Sequence, residues 1–451
     1  MVRITLRLGQ WRGWARQMAM ASYDAADWFC DEALVQDPFP YYEYLRAKGP
    51  VVRAPHHGVV VVTGYQEGLA VYRDDVHFSS INAPSGPIPP LPFTPDPYDI
   101  GPQIEQHRDQ IIYSDWLVTR DRPAHTAYRS LLMGIITPPR LKKNEEFMWR
   151  LADRQIGDCM GAEGFEVVAA LARPFTVLVV ADLLGVPEED HKEFCENFRP
   201  VPAQIGATQQ PLEHDPLAFL GRYFTRYMED RRQLSPRADG LSQLAHAKFP
   251  DGTTPALSDV VNIAAFLFTA GQDTSARLIA AALRFLGERP ELQQRLRRQR
   301  DLIPNFLEEV LRVEPPVKCN FRVARVPVKV GDLDVAPGTT VMLLLGAINR
   351  DPRRFERPAE LLPDRANARE HLSFSRGIHA CAGAPLARAE GFICLQRFFD
   401  HTDDFRVCEA KHGPEGQRRY SYEPTYLLRG LQELHLDIKP RTGVVPSSRA
   451  V

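Results

Sequence analysis

The chain has almost no net charge, no paired-cysteine motif and no long uninterrupted apolar run. Its 55 Lys and Arg stand against 57 Asp and Glu, a net charge of −2. That leaves no global field for a nucleic-acid backbone, so such binding would need a local basic patch. The seven cysteines lie at 30, 159, 195, 319, 381, 394 and 408. An odd count without CxxC pairs or zinc-like spacing argues against a disulfide scaffold or a zinc module. It predicts a reducing, cytoplasmic setting. The first 25 residues carry four arginines that break every apolar stretch. A spanning helix needs about 20 mostly apolar residues, and a secretory signal needs an unbroken apolar centre. An amphipathic or disordered leader is expected there instead.

Proline is abundant: 38 of 451 residues, about 8% against a usual value of about 5%. With 44% hydrophobic and 25% charged residues, the composition is that of an ordinary globular protein. It excludes collagenous, coiled-coil and wholly disordered chains. Length alone, at roughly 150 residues per domain, suggests about three domains.

Along the chain, Asp37 to Arg46 reads as a short helix entered through prolines. Val51–Val52 and Val59–Val62, split by His56, His57 and Gly58, predict a hairpin. Residues 81–115 are proline-rich and fit either a linker or a structured lid over a pocket. From Asp121 to about Val313 the periodicity is mostly helical, interrupted around 196–215. Strand alternation follows over 322–345, with turns at Gly331-Asp332 and Pro337-Gly338. Helix resumes at 384–399, and 420–438 has β character. The pattern predicts a mainly α protein with small β-sheets.

Four segments carry chemistry. Around Cys381, the run from Phe374 to Glu390 is a glycine-rich loop feeding a helix. Gly377 and Gly383 permit positive φ or close approach. A sulfur near unpaired helix N–H groups has a lowered pKa, suiting a nucleophile or a metal ligand. Ser258 to Arg277 reads as a buried helix capped by Ser258. Within it, Gly271, Asp273 and Thr274 cost helix stability, a local rule broken in the way functional sites break it. In Phe306–Pro316, Glu309 and Arg312 are spaced i,i+3 and share a face. In Asp121–Arg129, Asp121 is a plausible cap, and His125 and Arg129 share a face at i,i+4.

Phe374, Gly377, His379, Cys381, Gly383, Leu386, Ala387, Arg388 and Glu390 resemble, position by position, the haem-binding signature of the cytochrome P450 family, in its soluble bacterial form. Ala270-Gly-Gln-Asp-Thr-Ser275 is similar to that family's oxygen-binding motif, with Ser275 for the commoner second threonine. Glu309 and Arg312 match its E-x-x-R motif. The order of the motifs also matches, and the resemblance spans about residues 37 to 438.

The resemblance implies a single large α+β domain around a buried haem b, over residues 31–440, between a leader (1–30) and a C-terminal tail (441–451). Cys381 would be the axial ligand of the iron, since such thiolates donate electron density that favours O–O cleavage. Phe374 would shield the sulfur. His125, Arg129, Arg322 and His379 would hold the propionates, with Gly383 in the cofactor loop. Asp273 and Thr274 would relay protons, with Gly271 and the Thr274 hydroxyl opening the helix. This pair argues against peroxide-driven relatives. Glu309 and Arg312 would be structural, joined by Asp364-Arg365. Phe266, Thr269, Ala270, Val317, Lys318, Asn320, Leu427 and Leu428 would face a largely hydrophobic substrate. Lys318 either pairs with a substrate carboxylate or points to solvent. His435 stands where relatives usually have proline.

The implied reaction is monooxygenation with O2 and NAD(P)H-derived electrons. No redox module is expected within the chain, so a separate ferredoxin and its reductase would supply them, docking near Arg140, Lys142, Lys143 and Arg376. A monomer is expected. Two other classes of function fit less of the chain. A haem-binding sensor would not need Asp273 and Thr274, and a cysteine-nucleophile enzyme would leave the Glu309–Arg312 motif unexplained.

Overall fold

The computed structural model describes residues 23–160, 165–198, 216–233 and 236–441. Residues 1–22 of the expected leader, 199–215 and 234–235 of the interrupted region, and 442–451 of the tail lie outside them. Seven helices position the site: α1 (Ala124–Ile135), α2 (Pro138–Cys159), α3 (Arg173–Leu184), α4 (Pro216–Gln233), α5 (Leu257–Gly287), α6 (Ile303–Val313) and α7 (Ala384–His401). The strands are β1 (Val51–Arg53), β2 (Val60–Val62), β3 (Phe78–Ser79), β4 (Phe165–Glu166), β5 (Asn320–Ala324), β6 (Val328–Val330), β7 (Leu333–Val335), β8 (Thr340–Leu343), β9 (Thr402–Val407) and β10 (His435–Pro440).

Helix α5 is the axis of the molecule. It runs 31 residues, and α3, α4, α6 and α7 pack around it. From Ser275 to Gly287 every residue is buried. A helix inside the core is covered on all faces, mostly by apolar side chains, and its two buried arginines, Arg277 and Arg284, are paired with carboxylates. One continuous core joins these five helices. At about 1.5–3 kcal/mol per fully buried large aliphatic or aromatic side chain, this packing holds the helical half together. Gly271 would set a Cβ 3.1 Å from Val180 of α3. It is therefore a close-approach glycine between two helices. The helix is not opened there: α5 is continuous through Gly271 and Thr274.

The cap of α5 also differs from expectation. Ala256 is the N-cap, and its N–H donates to the Asp259 carboxylate at 3.0 Å, so Ser258 lies inside the first turn. The N-cap of α1 is likewise Pro123. The Asp121 carboxylate turns away to accept from the Ser79 hydroxyl and from the Ser80 N–H, which ties α1's entrance to β3.

The main sheet has the order β1-β2-β8-β5-β3. The β1–β2 hairpin forms as expected, turning through His57 and Gly58 in left-handed conformations. β2 pairs parallel with β8, and β5 pairs antiparallel with β8. Gly331 and Gly338 supply the positive φ at the two predicted turns. Residues 81–115 are a packed arm and not a linker: Ile81, Ile100 and Ile104 are buried against Val323 of β5. Residues 23–30, assigned to the leader by sequence, also join the fold, with Trp28 and Phe29 buried beside Tyr41 and Phe321. Between 420 and 434 no strand forms. That stretch is a turn stitched by the isolated bridges Val317–Leu428 and Tyr422–Leu431, because its hydrogen bonds run to residues 316–319. No described helix is long and apolar enough to cross a membrane.

Candidate active site

The loop before α7 folds as Gly377 requires. Gly377 has φ +71, and a Cβ there would run into the Tyr72 carbonyl. Gly383 has an ordinary helical φ and is the N-cap of α7. A Cβ there would lie 3.8 Å from Cys381 Sγ, an ordinary contact, so neither φ nor space beside the sulfur requires glycine at this position. The Cys381 N–H donates to the Phe374 carbonyl at 2.9 Å. Cys381 is accessible, although protein crowds its sulfur enough for desolvation to dominate its titration. The two facts together put the sulfur on the wall of an interior cavity. Burial pushes the thiol up, opposed by the Gly383 N–H, Arg129, the Ala384 N–H and Arg388. The helix terminus alone therefore does not produce the lowered pKa expected from sequence, because desolvation outweighs it. A bound metal cation would deprotonate such a sulfur outright.

Four separated residues converge next to this loop. The rings of His125 and His379 lie 4.3 Å apart, and Arg129 donates to the Ala380 carbonyl at 2.7 Å. Arg322 is buried on β5 and donates to Asn320 Oδ1 and the Phe321 carbonyl. Burial, then Arg322, His125 and Arg129, push His379 down to about 2. Burial, with Arg129 and Arg122, pushes His125 down to about 4. The Nε2 atoms of both histidines are buried without a hydrogen-bond partner. Among the described residues no carboxylate lies within ion-pair distance of Arg129 or Arg322. Two arginines without a counter-charge, beside two neutral histidines with orphaned ring nitrogens, need anions that also accept hydrogen bonds to complete them. Two carboxylates beside an axial sulfur fit that need, so the residues present fit a haem with its propionates. Asn320, expected in the substrate wall, accepts from Arg322 through its side-chain oxygen.

Phe374 is held from both sides. The Arg388 guanidinium lies 4.7 Å from its ring centroid, and the His371 ring is 5.6 Å away. Both partners bond Glu308, Arg388 Nε at 2.5 Å and His371 Nε2 at 3.0 Å. Burial would raise the Glu308 carboxyl, but His371 and Arg388 hold it at about 2. The sequence reading missed Glu308 and His371, whose only signal was their place beside two recognised motifs.

On α5, the Thr274 hydroxyl donates to the Ala270 carbonyl at 2.9 Å. Ala270 is exposed within an otherwise covered stretch of helix, which places this turn on the cavity. The Asp273 carboxylate does not pair with Thr274. It bonds Arg277 at 2.9 Å and meets Arg173 at 3.8 Å, and Glu423 links the same two arginines at 2.6 and 2.5 Å. Arg277 is one turn further along α5, but Arg173 comes from α3 and Glu423 from the 420–434 turn, too far along the chain to be read locally. Phe266 packs edge-on to Trp116 at 5.8 Å, so the residue following the proline-rich arm meets α5 here. Thr269 Oγ1 is buried without a partner. Val317 bridges Leu428, whereas Leu427 packs on the aromatic cluster around Trp28. Lys318 neither points to solvent nor stands free for a substrate: it is 1% exposed, and its Nζ donates to the Thr425 carbonyl.

Behind Thr274, Ser275 lies beside Glu390 of α7. Glu390 is fully buried, and neither of its oxygens has a hydrogen-bond partner. Burial pushes its carboxyl up to about 8, partly offset by Ser275. Between the unfolded value near 4.5 and about 8, the unfolded chain releases a proton that the folded chain keeps, so stability falls as pH rises. Glu390→Gln is expected to abolish this fall, gaining roughly 3–5 kcal/mol on wild type between pH 5 and pH 8. Urea titrations at the two pH values measure it, and a constant offset between the proteins would contradict the assignment.

The ion-pair core lies one layer further out. Arg312 and Glu309 are both 0% exposed. Arg365 Nε joins Glu309 at 3.0 Å. Asp364 does not take part, pairing with Arg295 at the surface. Arg140 donates to the Gly134 and Ile135 carbonyls at the end of α1, and Arg376 to carbonyls of its own loop. A separate surface cleft of about 1030 Å³, lined by Glu288, Arg406, Glu409 and Arg418 among others, holds none of the residues singled out above.

This geometry agrees with comparisons to known proteins. The family model described as Cytochrome P450 matches residues 197–412. Cytochrome P450 144 of Mycobacterium tuberculosis is 31% identical over 431 residues, covering 92% of each chain. The substrate-free structure of CYP150A6 from Mycobacterium marinum is 51% identical and superposes with a TM-score of 0.87, over 93% of this chain and 99% of that one. CYP109E1 of Bacillus megaterium, in complex with corticosterone, is 27% identical with a TM-score of 0.73, over 89% and 98%. A thiol at the head of α7, a cluster of two arginines and two histidines beside it and these likenesses lead to one conclusion: the chain belongs to the cytochrome P450 family of haem-thiolate monooxygenases.

Proposed function

We propose that this monooxygenase oxidises a hydrophobic small molecule in the cytoplasm, as a monomer served by a separate ferredoxin and its NAD(P)H-dependent reductase. The observation that carries the assignment of roles is the convergence of Cys381 with the uncompensated cluster of His125, Arg129, Arg322 and His379. The haem, when bound, supplies the activation of O2. Cys381 would hold its iron, and the four basic residues would bind and orient its two carboxylates by charge-assisted hydrogen bonds. Phe374, fixed by Arg388 and His371, would keep water from the sulfur.

Thr274 stands on the cavity side of α5. Because its hydroxyl proton is directed to the Ala270 carbonyl, its oxygen is free to accept a proton-bearing partner from the cavity. Asp273 would pass a proton toward it only on loosening from Arg277 or Arg173. Phe266, Trp116, Val317 and Leu428 supply apolar wall, which suits a substrate with little charge. The corticosterone complex of the Bacillus megaterium neighbour supports a substrate class of that hydrophobicity.

Thr274→Ala tests the proton assignment. The variant is expected to keep its haem and to consume NAD(P)H, while product per NAD(P)H falls about tenfold or more and peroxide rises, in line with the loss of a positioned proton donor. Unchanged coupling between NAD(P)H consumption and product would rule the assignment out. The substrate itself is found by titrating hydrophobic compounds and following the low-to-high spin shift.

A further inference from the structure

Lys318 is buried where a methionine or leucine would fill the same volume at lower cost. A buried ammonium loses its hydration and recovers it only through its partners. The Lys318 ammonium donates to the Thr425 carbonyl at 2.5 Å and faces Trp28, whose ring centroid lies 5.1 Å away. Around it, residues 316–319 are zipped to the terminal turn. Arg429 N–H donates to the Pro316 carbonyl, Lys318 N–H to the Leu427 carbonyl, and Cys319 Sγ lies 3.5 Å from the Tyr426 carbonyl. Val317 pairs with Leu428 in the same zipper. Glu423 anchors one end of the turn to Arg173 and Arg277, and these cross-links set the position of the stretch from Thr425 to Arg429 that bears Leu428.

We propose that Lys318 is a positioning residue for substrate selection: by tying the Thr425 carbonyl it holds the terminal turn, and with it Leu428, against Val317 in the pocket wall. The proposal rests on the assignment of Val317 and Leu428 to that wall. A charge-assisted bond to a carbonyl is stronger than a neutral one, so the clamp is firmest while the amine is protonated. Burial pushes the Lys318 amine down to about 7, which puts the change within reach of ordinary buffers. The groups acting on it are Cys319 on its own segment, Arg429 on the turn and Arg277 on α5. Burial pushes the Cys319 thiol up to about 12, and arginines stay charged. The segment bearing Trp28 presents an aromatic face. Lys318 is then the member of this group that titrates near neutrality.

The experiment uses the haem-loaded full chain and two azoles that ligate the iron, read by absorbance: clotrimazole, large enough to press on the pocket wall, and imidazole, too small to reach it. Lys318→Met keeps the side-chain length and removes the amine. At pH 6 it is expected to weaken clotrimazole about tenfold, the size expected for loss of a charge-assisted bond, and to leave imidazole within twofold. At pH 8.5 the difference between wild type and variant should narrow to about threefold or less, because the wild-type amine is then neutral. An equal loss for both azoles, or a loss independent of pH, would make Lys318 a general folding element and overturn the proposal. Leu428→Ala separates the two readings. If it weakens clotrimazole while Lys318→Met does not, the wall assignment stands and the clamp falls; if neither variant matters, both fall. Should Lys318→Met fail to accumulate, wild type alone carries the test: with both dissociation constants expressed for the neutral azole, since imidazole itself titrates in this range, the preference for clotrimazole should decline from pH 6 to 8.5, and a flat corrected ratio would refute the clamp.

Discussion

Cys381→Ser is expected to yield a folded protein that has lost the spectral signature and the activity of a haem-thiolate enzyme. The fold should survive because the loop is held by backbone bonds the substitution keeps, such as Cys381 N–H to the Phe374 carbonyl. The sulfur also faces a cavity and not the packed core, so the smaller oxygen leaves no unfilled volume among apolar side chains. What is lost is electronic. A serine oxygen at this place is far less readily ionised than a thiol and does not donate density as a thiolate does. Activity should fall by more than the roughly 10–100-fold typical of removing an outer partner of a metal ligand. The measurement is absorbance of the reduced protein under carbon monoxide, which should lack the red-shifted thiolate band. Replacing buried Cys319 or Cys394 instead should leave that band in place. A normal band in Cys381→Ser would remove the sulfur from the site altogether.

Glu309→Gln is expected to be the most damaging change for stability. Glu309 accepts from Arg312 Nε at 2.5 Å and Arg312 Nη2 at 3.0 Å, from Arg365 Nε at 3.0 Å and from the Leu362 N–H at 2.9 Å. The two guanidiniums complete their shells on carbonyls of Asn349, Pro358, Glu360 and Glu356. Removing the one carboxylate leaves two buried cations without a counter-charge. Breaking a buried pair from one side costs about 3–5 kcal/mol, a large part of a typical folding free energy of about 5–15 kcal/mol. The haem content of purified protein and the urea midpoint should both drop sharply. Asp364→Ala, which removes a surface partner of Arg295, is the control and should cost about 0–1 kcal/mol. If Glu309→Gln lies within about 1 kcal/mol of wild type, the buried network is not what holds this loop to α6.

Much of this was legible along the chain. Glu309 and Arg312 could be paired from their spacing, because helix geometry puts i and i+3 on one face. The hairpin at His57-Gly58 and the turns at Gly331 and Gly338 could be placed because local sterics set φ. The order of the motifs around Cys381, Thr274, Arg322 and His125 pointed to one haem-sized centre and so to one domain, against the three suggested by length.

Where sequence reading went astray, a partner lay far away in the chain. Asp121 was expected to cap α1 but bonds Ser79 and Ser80. The partners that Arg173 and Glu423 bring to the Asp273–Arg277 pair could likewise not be read from its surroundings in the chain. Gly271 was expected to open α5 but lets Val180 of α3 approach it. Lys318 was expected in solvent or against a substrate but is enclosed by Thr425 and Trp28.

The sequence by itself determined the elements, the thiolate loop and the family, since helix periodicity, turn chemistry and motif spacing are properties of near neighbours. The tertiary structure alone decided which partner each buried charge takes. A hydrogen bond or ion pair reaches only about 3–4 Å through space, and residues hundreds of positions apart come within that range only once the core has packed.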